Sequence, residues 1–246
     1  MTRAHDASEY GRHIAQDYDA VYGDIFDTDG AVACLLDLAA GGSLLEFGVG
    51  TGRLAIPLSE AGLVVHGMDG SAEMLAYLAE KPGGERITGV VGDFSETRVE
   101  ATFDVVLLAA NTIYALPDQA AQVRCFANAA AHLRPGGRFV VEGWIPRPSH
   151  EAKPSLEPRA LSGGHVGLVI AETDPVNQVM RTTQIVLGGV VGVRVFPVVH
   201  RYAYPAELDL MAQLNGMALE HRWADWHRTP LTPASPNHVS VYRLGA

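Results

Sequence analysis

Residues 44–54 read Leu44-Leu-Glu-Phe-Gly48-Val-Gly50-Thr-Gly52-Arg-Leu, an apolar run that passes directly into three closely spaced glycines. The pattern predicts a short strand, a glycine loop and then a helix over residues 56–61. Glycines at such a junction let the backbone approach a ligand closely, and the helix N-terminus adds unpaired N–H groups. The spacing is G-x-G-x-G, not the G-x-G-x-x-G of dinucleotide sites. We therefore expect a ligand site at this first junction of strand and helix.

Strands and helices alternate on both sides of this loop. Further apolar runs of strand length lie at residues 63–68, 87–91, 103–109 and 138–144. Helical patterns lie at 10–22, 30–39, 71–78 and 118–133, with Ser71 and Asp118 as expected N-caps. Apolar strands that alternate with helices are typical of a parallel sheet covered on both faces, so we predict an α/β fold with a doubly wound sheet.

The pattern changes after residue 145. Residues 145–159 contain four prolines and are interpreted as a linker. Residues 166–171, 178–187 and 190–204 are rich in β-branched side chains and separated by turn signals, which predicts an antiparallel meander. Within it, His200-Arg201 is expected at a solvated sheet edge. Residues 205–216 are predicted to be helical, and residues 218–226 and 238–244 to form a closing hairpin.

Composition excludes several classes of protein. The chain has 246 residues, 48% of them hydrophobic, and a formal net charge of −10, so no basic stripe favours nucleic acid as a partner. The two cysteines, Cys34 and Cys125, are too few for a disulfide scaffold or a thiolate zinc cluster, and no metal is expected. No apolar signal core opens the chain and no run approaches the ~20 apolar residues of a membrane span. We expect a soluble cytoplasmic enzyme with a small-molecule substrate.

Acidic side chains mark the ends of the first three predicted strands. Glu46 precedes the first glycine by two residues, and Asp69 ends the second strand 17 residues after Gly52. An acid in the position of Asp69 can bind both hydroxyls of a ribose. Gly92-Asp93-Phe94 ends the third strand and pairs a carboxylate with an aromatic ring, which suits an adenine.

At these residues the sequence resembles the class I S-adenosylmethionine (SAM)-dependent methyltransferases. The resemblance spans about residues 10–144 through E-F-G-V-G-T-G, M-D-G-S, G-D-F and L-R-P-G-G-R-F, in that order. It implies a Rossmann-like, mostly parallel seven-stranded sheet and SAM as the cofactor, with the glycines on the methionyl part, Asp69 on the ribose, and Asp93 and Phe94 on the adenine. The cofactor-binding residues it implies are Tyr18, Glu46, Gly48, Gly50, Gly52, Arg53, Asp69, Met74, Asp93, Phe94 and Ala110.

A narrower resemblance concerns the acceptor. Glu9-Tyr10, Tyr18-Asp19 and Val140-Val-Glu142 before Trp144 are similar to the dTDP-amino-sugar N,N-dimethyltransferases of macrolide pathways. That group places the first tyrosine, here Tyr10, near the acceptor amine and the second, here Tyr18, near SAM. It also carries a histidine after the fourth strand, where this chain has Ala115. The resemblance therefore implies a natural-product methyltransferase that acts on nitrogen or oxygen of a small molecule, rather than a sugar enzyme as such.

No motif identifies a catalytic base. An amine with a free lone pair needs little beyond positioning, whereas a hydroxyl needs a base within hydrogen-bond reach. The catalytic candidates are Tyr10, Asn111, Tyr114, His150 and His227. The substrate-binding candidates are Tyr10, Tyr22, Asn111, Tyr114, Trp144 and Trp226. The alternative for Tyr10, Tyr18 and Tyr22 is that they form one core face of a helix.

The resemblance also implies an organisation and a partner. We expect an N-terminal helical cap over residues 1–40, a SAM-binding core over 41–145, an antiparallel β lid over 146–204, and a C-terminal helix and closing hairpin over 205–246. Such an insertion is sometimes a dimer surface, so a homodimer stays open. Residues 6–37 carry eight acids against Arg12, a field that favours a cationic cofactor unless it is merely a solvated helix face. Two alternatives remain, a SAM-fold protein that catalyses a reaction such as cyclisation and a SAM-binding regulator without turnover.

Overall fold

The computed structural model describes residues 15–16, 18–23, 25–147, 154–161, 164–188 and 192–245. The helices are α1 (Tyr18–Tyr22), α2 (Thr28–Ala39), α3 (Ala55–Glu60), α4 (Ala72–Glu80), α5 (Gln119–His132) and α6 (Pro205–Leu214), with short 3₁₀ helices at Gly84–Arg86 and Thr112–Ala115. The strands are β1 (Ser43–Phe47), β2 (Val64–Asp69), β3 (Thr88–Val91), β4 (Phe103–Leu108), β5 (Leu133–Trp144), β6 (Ser155–Ala160), β7 (Val166–Asp174), β8 (Val179–Gly188), β9 (Gly192–Arg201), β10 (Met217–Trp223) and β11 (Asn237–Leu244).

The central sheet has seven strands in the order β3-β2-β1-β4-β5-β11-β10. Strands β1 to β5 run parallel, and β11 runs antiparallel between β5 and β10. This confirms the predicted α/β fold with its Rossmann-like sheet and closing hairpin. The strand order reverses between β1 and β4, and in open α/β sheets ligands bind outside the carboxyl ends of the strands at such a point.

Helices cover both faces of this sheet, which explains the unbroken apolar strands. All five residues of β1 are buried. Leu45 packs in a cluster with Phe126 and Leu208 of α5 and α6, whereas Leu44 packs on the opposite face against residues of α2 and α3. The predicted caps are present, since the Ser71 hydroxyl accepts from the Met74 N–H at 3.2 Å and the Asp118 carboxylate from the Ala121 N–H at 2.7 Å.

A second sheet has four antiparallel strands in the order β6-β7-β8-β9. It contains the predicted meander and also β6, which lies in the segment that its prolines predict to be a linker. Pro158 is tolerated there because β6 is an edge strand. Residues 133–137 also belong to β5, with a register shift against β4, whereas the sequence pattern predicts that this strand begins at residue 138.

An apolar cluster and a polar cluster join the second sheet to the core. Its inner face, defined by Val186 and Phe196, packs with Val21 of α1 and Met74 of α4. At its base the buried Arg201 donates to Glu207 at 2.6 Å and to Gln122 at 2.6 Å. The strand β9 is an edge strand, as expected for His200-Arg201, but the expectation that this pair is solvated is wrong. Arg201 is 6% exposed because Glu207 and Gln122 hold its guanidinium, and the Nδ1 atom of His200 is buried. Among the described residues, no helix is long and apolar enough to cross a membrane.

Candidate active site

The glycine loop lies at the carboxyl end of β1. The N–H groups of Gly48 and Val49 donate to the Met68 carbonyl at 2.7 and 3.1 Å and so fix the loop on β2. Gly50 has a φ of 55°, and a Cβ at this position would meet no atom within 4 Å. Gly52 has a φ of 86°, and a Cβ there would lie 2.1 Å from Cδ1 of Leu78. Gly50 therefore borders open space that a ligand can use, whereas Gly52 lets the loop pack closely on α4.

Asp69 ties the end of β2 to this loop. One carboxylate oxygen accepts from the Gly50 N–H at 2.8 Å, and the other accepts from the Ser71 N–H at 2.8 Å. Burial raises the pKa of Asp69 above its ordinary value, against the effect of these two bonds. Each oxygen retains a lone pair, so the carboxylate can still accept from two hydroxyl groups of a ligand.

Glu46 is the least satisfied acid of the site. Its side chain is 5% exposed, and its Oε2 atom is buried without a hydrogen-bond partner. Burial raises its pKa to about 8, although the Arg53 guanidinium opposes the shift. The carboxyl group accepts a hydrogen bond from the Ala55 backbone N–H, but a buried oxygen without a partner is costly, so the Oε2 atom fits a ligand that carries a cation or an N–H donor.

Arg53 and Tyr18 complete this part of the site. The Arg53 guanidinium lies 4.3 Å from the centre of the Phe26 ring and donates to the Thr28 hydroxyl at 3.2 Å. It can still offer N–H groups to a carboxylate, for which its planar fork is suited. The Tyr18 ring centre lies 5.3 Å from that of Tyr22, and burial raises the pKa of Tyr18 to about 12. Both tyrosines pack against Met74 and the inner face of the second sheet.

Helix α1 is fastened to the glycine loop by a polar clasp of three residues. The Thr51 hydroxyl donates to Asp19 at 2.7 Å, and the Lys81 ammonium pairs with Asp19 at 2.5 Å. Lys81 also donates to the Thr51 carbonyl at 2.8 Å. Asp19 was counted in the acidic field expected to favour a cation. Its charge is instead paired with Lys81, which weakens that hypothesis.

The end of β3 is only partly arranged as expected for an adenine. The Asp93 carboxylate accepts from the Ser95 N–H at 2.7 Å, and Asn128 holds the Phe94 carbonyl at 2.8 Å. The Phe94 ring is buried and stacks on Phe47 with 5.9 Å between centres. One face of Phe94 is therefore occupied by the core, and its contact with adenine stays a prediction.

The predicted acceptor residues divide into two groups. Asn111 and Trp144 lie together at the carboxyl ends of β4 and β5, where the Asn111 side-chain carbonyl accepts from the Trp144 N–H at 2.7 Å. Tyr114 is fully buried beside Trp144 and donates its hydroxyl proton to the Trp144 carbonyl at 2.8 Å, while burial raises its pKa. Tyr114 therefore holds the main chain of Trp144 in place, and its hydroxyl group is not free to act on an acceptor.

Trp226 and His227 are separated by their surroundings. Trp226 is 6% exposed in the core, and its indole N–H donates to Glu142 at 2.9 Å. His227 is exposed and pairs with Asp27 at 2.8 Å, at the start of α2. The structure therefore places neither Trp226 nor His227 as an accessible side chain beside Asn111 and Trp144. Tyr10 and His150 lie outside the described residues.

Sequence reasoning missed polar groups on the inner face of the second sheet. The Tyr22 hydroxyl donates to the Gln184 side chain at 3.2 Å. The Nδ1 atom of His200 is buried without a partner, and burial lowers the pKa of this imidazole to about 4. The only sequence signal for these positions is the alternation of polar and apolar residues along β8 and β9. This alternation does not indicate which face of the sheet packs on the core.

Residues 44–137 match a family model described as a methyltransferase domain. The solved structure of the CcbJ methyltransferase from Streptomyces caelestis is 40% identical in sequence, and the match covers 98% of this chain and 100% of that one with a TM-score of 0.88. This chain belongs to the class I SAM-dependent methyltransferases. The predicted family, enzyme class and cofactor are therefore confirmed.

Two other similar proteins extend the comparison of this methyltransferase. The cypemycin N-terminal methyltransferase from Streptomyces sp is 28% identical over 245 residues, which cover 96% of this chain and 98% of that protein. The SAM-bound structure of CalS10, an amino pentose methyltransferase from Micromonospora echinaspora, has a TM-score of 0.64 at 21% identity, over 88% and 90% of the two chains. At this level of sequence identity, the similarity to CalS10 shows a shared fold.

Proposed function

We propose that this methyltransferase transfers a methyl group from SAM to an amine nitrogen of a small natural product or short peptide. The observations that carry the cofactor part are the Oε2 atom of Glu46, which is buried without a hydrogen-bond partner, and the open space at Gly50 in the same glycine-loop region. When bound, SAM supplies an already activated methyl group on a sulfonium. Asp69 would hold the ribose, Arg53 the carboxylate, and Glu46 an N–H donor of the methionyl part.

Among the residues that the structure describes, the groups that could take a proton from the acceptor favour one kind of acceptor atom. Tyr114 is engaged with a carbonyl and has a raised pKa, and His227 is paired with Asp27 at the protein surface. His200 is a weak base because its pKa is lowered to about 4. A hydroxyl acceptor needs a strong base, whereas a neutral amine needs only to be aligned and shielded from water. These side chains therefore favour nitrogen, as does the name of the cypemycin relative.

We propose that the second sheet acts as a lid over the acceptor. Its inner face presents Gln184 and His200 toward the core, and Asn111 and Trp144 lie at the carboxyl ends of the facing strands. A neutral imidazole with a free Nδ1 atom can accept a hydrogen bond from an acceptor N–H group. His200 is accordingly a substrate-binding candidate, together with Tyr22, Asn111 and Trp144.

A homodimer through the outer face of the second sheet is part of the proposal. Apolar side chains recur at alternate positions on three of its four strands, β6, β7 and β9, and are 37% to 67% exposed: Leu156, Val166, Ile170, Val193, Val195 and Val199. The face measures roughly 600 Å² from strand spacing and rise, near the roughly 800 Å² per partner of a stable interface. We expect a dimer in sedimentation and a monomer for Val195→Lys. A wild-type monomer at micromolar concentration would contradict it.

We also propose the cytoplasm as the compartment, where two free buried thiols persist.

Turnover tests the function directly. Purified protein is incubated with SAM and a panel of primary and secondary amines, short peptides with a free N-terminus, and matched hydroxyl compounds. We expect S-adenosylhomocysteine together with an acceptor heavier by one methyl group, for the amines only. Hydroxyl-only products would overturn nitrogen as the target, and SAM binding without turnover on every acceptor would favour a regulator. Asp69→Asn, which keeps the size of the side chain, should lose SAM affinity.

A further inference from the structure

The chain reverses sharply where β4 ends, at the point where the strand order changes direction. Ala110 and Asn111 both adopt left-handed backbone, with φ of 51° and 65°. Two consecutive non-glycine residues in this region are strained, and such strain persists only where the surroundings hold it. The residues that hold this turn in place therefore determine the position of the part of the cofactor site that the turn forms.

Glu142 of β5 holds the turn through both its backbone and its side chain. Its Oε2 atom accepts from the Ala110 N–H at 2.7 Å, and its main-chain carbonyl accepts from the Asn111 N–H at 3.2 Å. Its Oε1 atom accepts from the Trp226 indole N–H at 2.9 Å. Trp226 is buried in the core, so its indole N–H holds the second oxygen of the carboxylate in place.

The turn at Ala110 and Asn111 also contacts the glycine loop. A Cβ on Gly48 would lie 2.6 Å from Cγ2 of Thr112, the residue that follows Asn111. A displacement of the turn would therefore move Thr112 against the loop or away from it. The chain of contacts runs from Trp226 through Glu142 and the strained turn to Gly48.

We propose that Glu142 is a positioning residue for SAM, which sets the turn at Ala110 and Asn111 against the glycine loop, and that Trp226 holds Glu142 in place. The proposal rests on the proposed function in that it takes the loop as the SAM site. A carboxylate suits the role because both oxygens only accept, and here each faces an N–H donor. A glutamine would turn an NH₂ group toward one of these donors, so Glu142→Gln changes the interaction with little change in shape.

Glu142→Gln should weaken SAM binding about tenfold, since a hydrogen bond to a charged group is lost. Its KM for SAM should rise by a similar factor, while kcat at saturating SAM stays within about twofold, because the variant alters ground-state positioning and not the methyl transfer. Trp226→Phe should weaken SAM binding less, and the double variant should be no weaker than Glu142→Gln alone, because both residues act through one contact.

Glu220→Gln is the matched control. Glu220 lies on the edge strand β10, and both its oxygens also accept from N–H groups, here of Arg138 at 2.6 and 3.1 Å. It is expected to lower the melting temperature without changing the affinity for SAM. Binding is measured by calorimetry at a temperature where each variant is folded by circular dichroism.

Folded Glu142→Gln protein with wild-type affinity and KM for SAM would overturn the positioning role. If that variant does not fold, Trp226→Phe decides, and unchanged SAM affinity in it overturns the proposal. An equal loss of affinity in Glu220→Gln would also overturn it, since the effect would then be general destabilisation. Failure of the wild-type protein to bind SAM would instead reject the proposed function.

Discussion

Glu46 is a residue whose ionisation is strongly altered by folding. Its pKa rises to about 8 in the folded chain because the side chain is buried. The folded state then holds a proton that the unfolded state releases near pH 4.5, so stability falls as the pH rises from about 4.5 to 8. The Glu46→Gln variant has no carboxyl group to ionise at this position, so its stability does not fall in this way. It should be more stable than wild type at pH 9, by about 2–4 kcal/mol.

Urea unfolding without SAM, at pH 5 and pH 9, measures this difference, and calorimetry should show weaker SAM binding by the same variant. Glu220→Gln is the control with the opposite sign, since the Arg138 guanidinium lowers the pKa of Glu220. Equal pH dependence of Glu46→Gln and wild type would show that Glu46 ionises normally in the folded protein.

Gly50 and Gly52 should separate binding from stability, although both have positive φ. Gly52→Ala places a methyl group 2.1 Å from buried Leu78 and should destabilise the fold by about 2–4 kcal/mol. Gly50→Ala meets no neighbour, so it should cost only about 1–2 kcal/mol of backbone strain. Its methyl group points into space assigned to SAM and should reduce affinity more than Gly52→Ala does. Thermal unfolding and calorimetry on both variants test the contrast, and the reverse order would contradict it.

At the scale of an element, the clasp of Asp19, Thr51 and Lys81 should decide how often α1 opens. The ion pair is half-exposed, so Lys81→Met should change the free energy of unfolding by less than about 1 kcal/mol. The same variant leaves the Thr51–Asp19 hydrogen bond as the remaining link of the clasp, so it should loosen α1 and raise the dissociation rate of SAM about 3- to 10-fold. Stopped-flow displacement measures this rate.

Arg86→Met removes another surface charge, one paired only weakly with Glu85 at 3.8 Å, and serves as the control. It should leave the SAM dissociation rate unchanged. The wild-type rate should also rise with salt, because half-exposed ion pairs are screened. Identical rates in Lys81→Met and wild type would mean that the clasp does not hold α1 closed.

Elements whose signals are local in sequence were predictable. The glycine loop, Asp69 and the caps at Ser71 and Asp118 each follow from a few neighbouring residues, and all are in place. The supports of the site were not predictable, because their partners are distant in sequence. Ala110 and Trp226 lie 32 and 84 residues from Glu142, and nothing near Glu142 signals either contact. Trp226 was accordingly predicted in the substrate pocket.

At the scale of the whole molecule, buried histidines should limit stability in acid. Burial lowers the pKa values of His66 and His132, and lowers those of His200 and His238 to about 4. His238 is fully buried, and its Nδ1 atom lies 2.9 Å from Ser240 Oγ, which accepts from Arg222. The Nε2 atom of His238 is buried without a hydrogen-bond partner, and the Arg222 guanidinium is a positive charge nearby. Protonation would therefore place an unsolvated positive charge on a buried ring.

Acid unfolding tests this arrangement. Because the unfolded chain binds a proton near pH 6.5 that folded His238 refuses until about pH 4, its contribution is present above pH 6.5 and lost as the pH falls toward 4. His238→Asn keeps a polar atom near Ser240 and should lose about 3 kcal/mol less stability than wild type between pH 7 and pH 4. His221→Asn changes an exposed ring and should keep the wild-type slope. Parallel slopes for His238→Asn and wild type in urea titrations would place the acid sensitivity in the other buried rings.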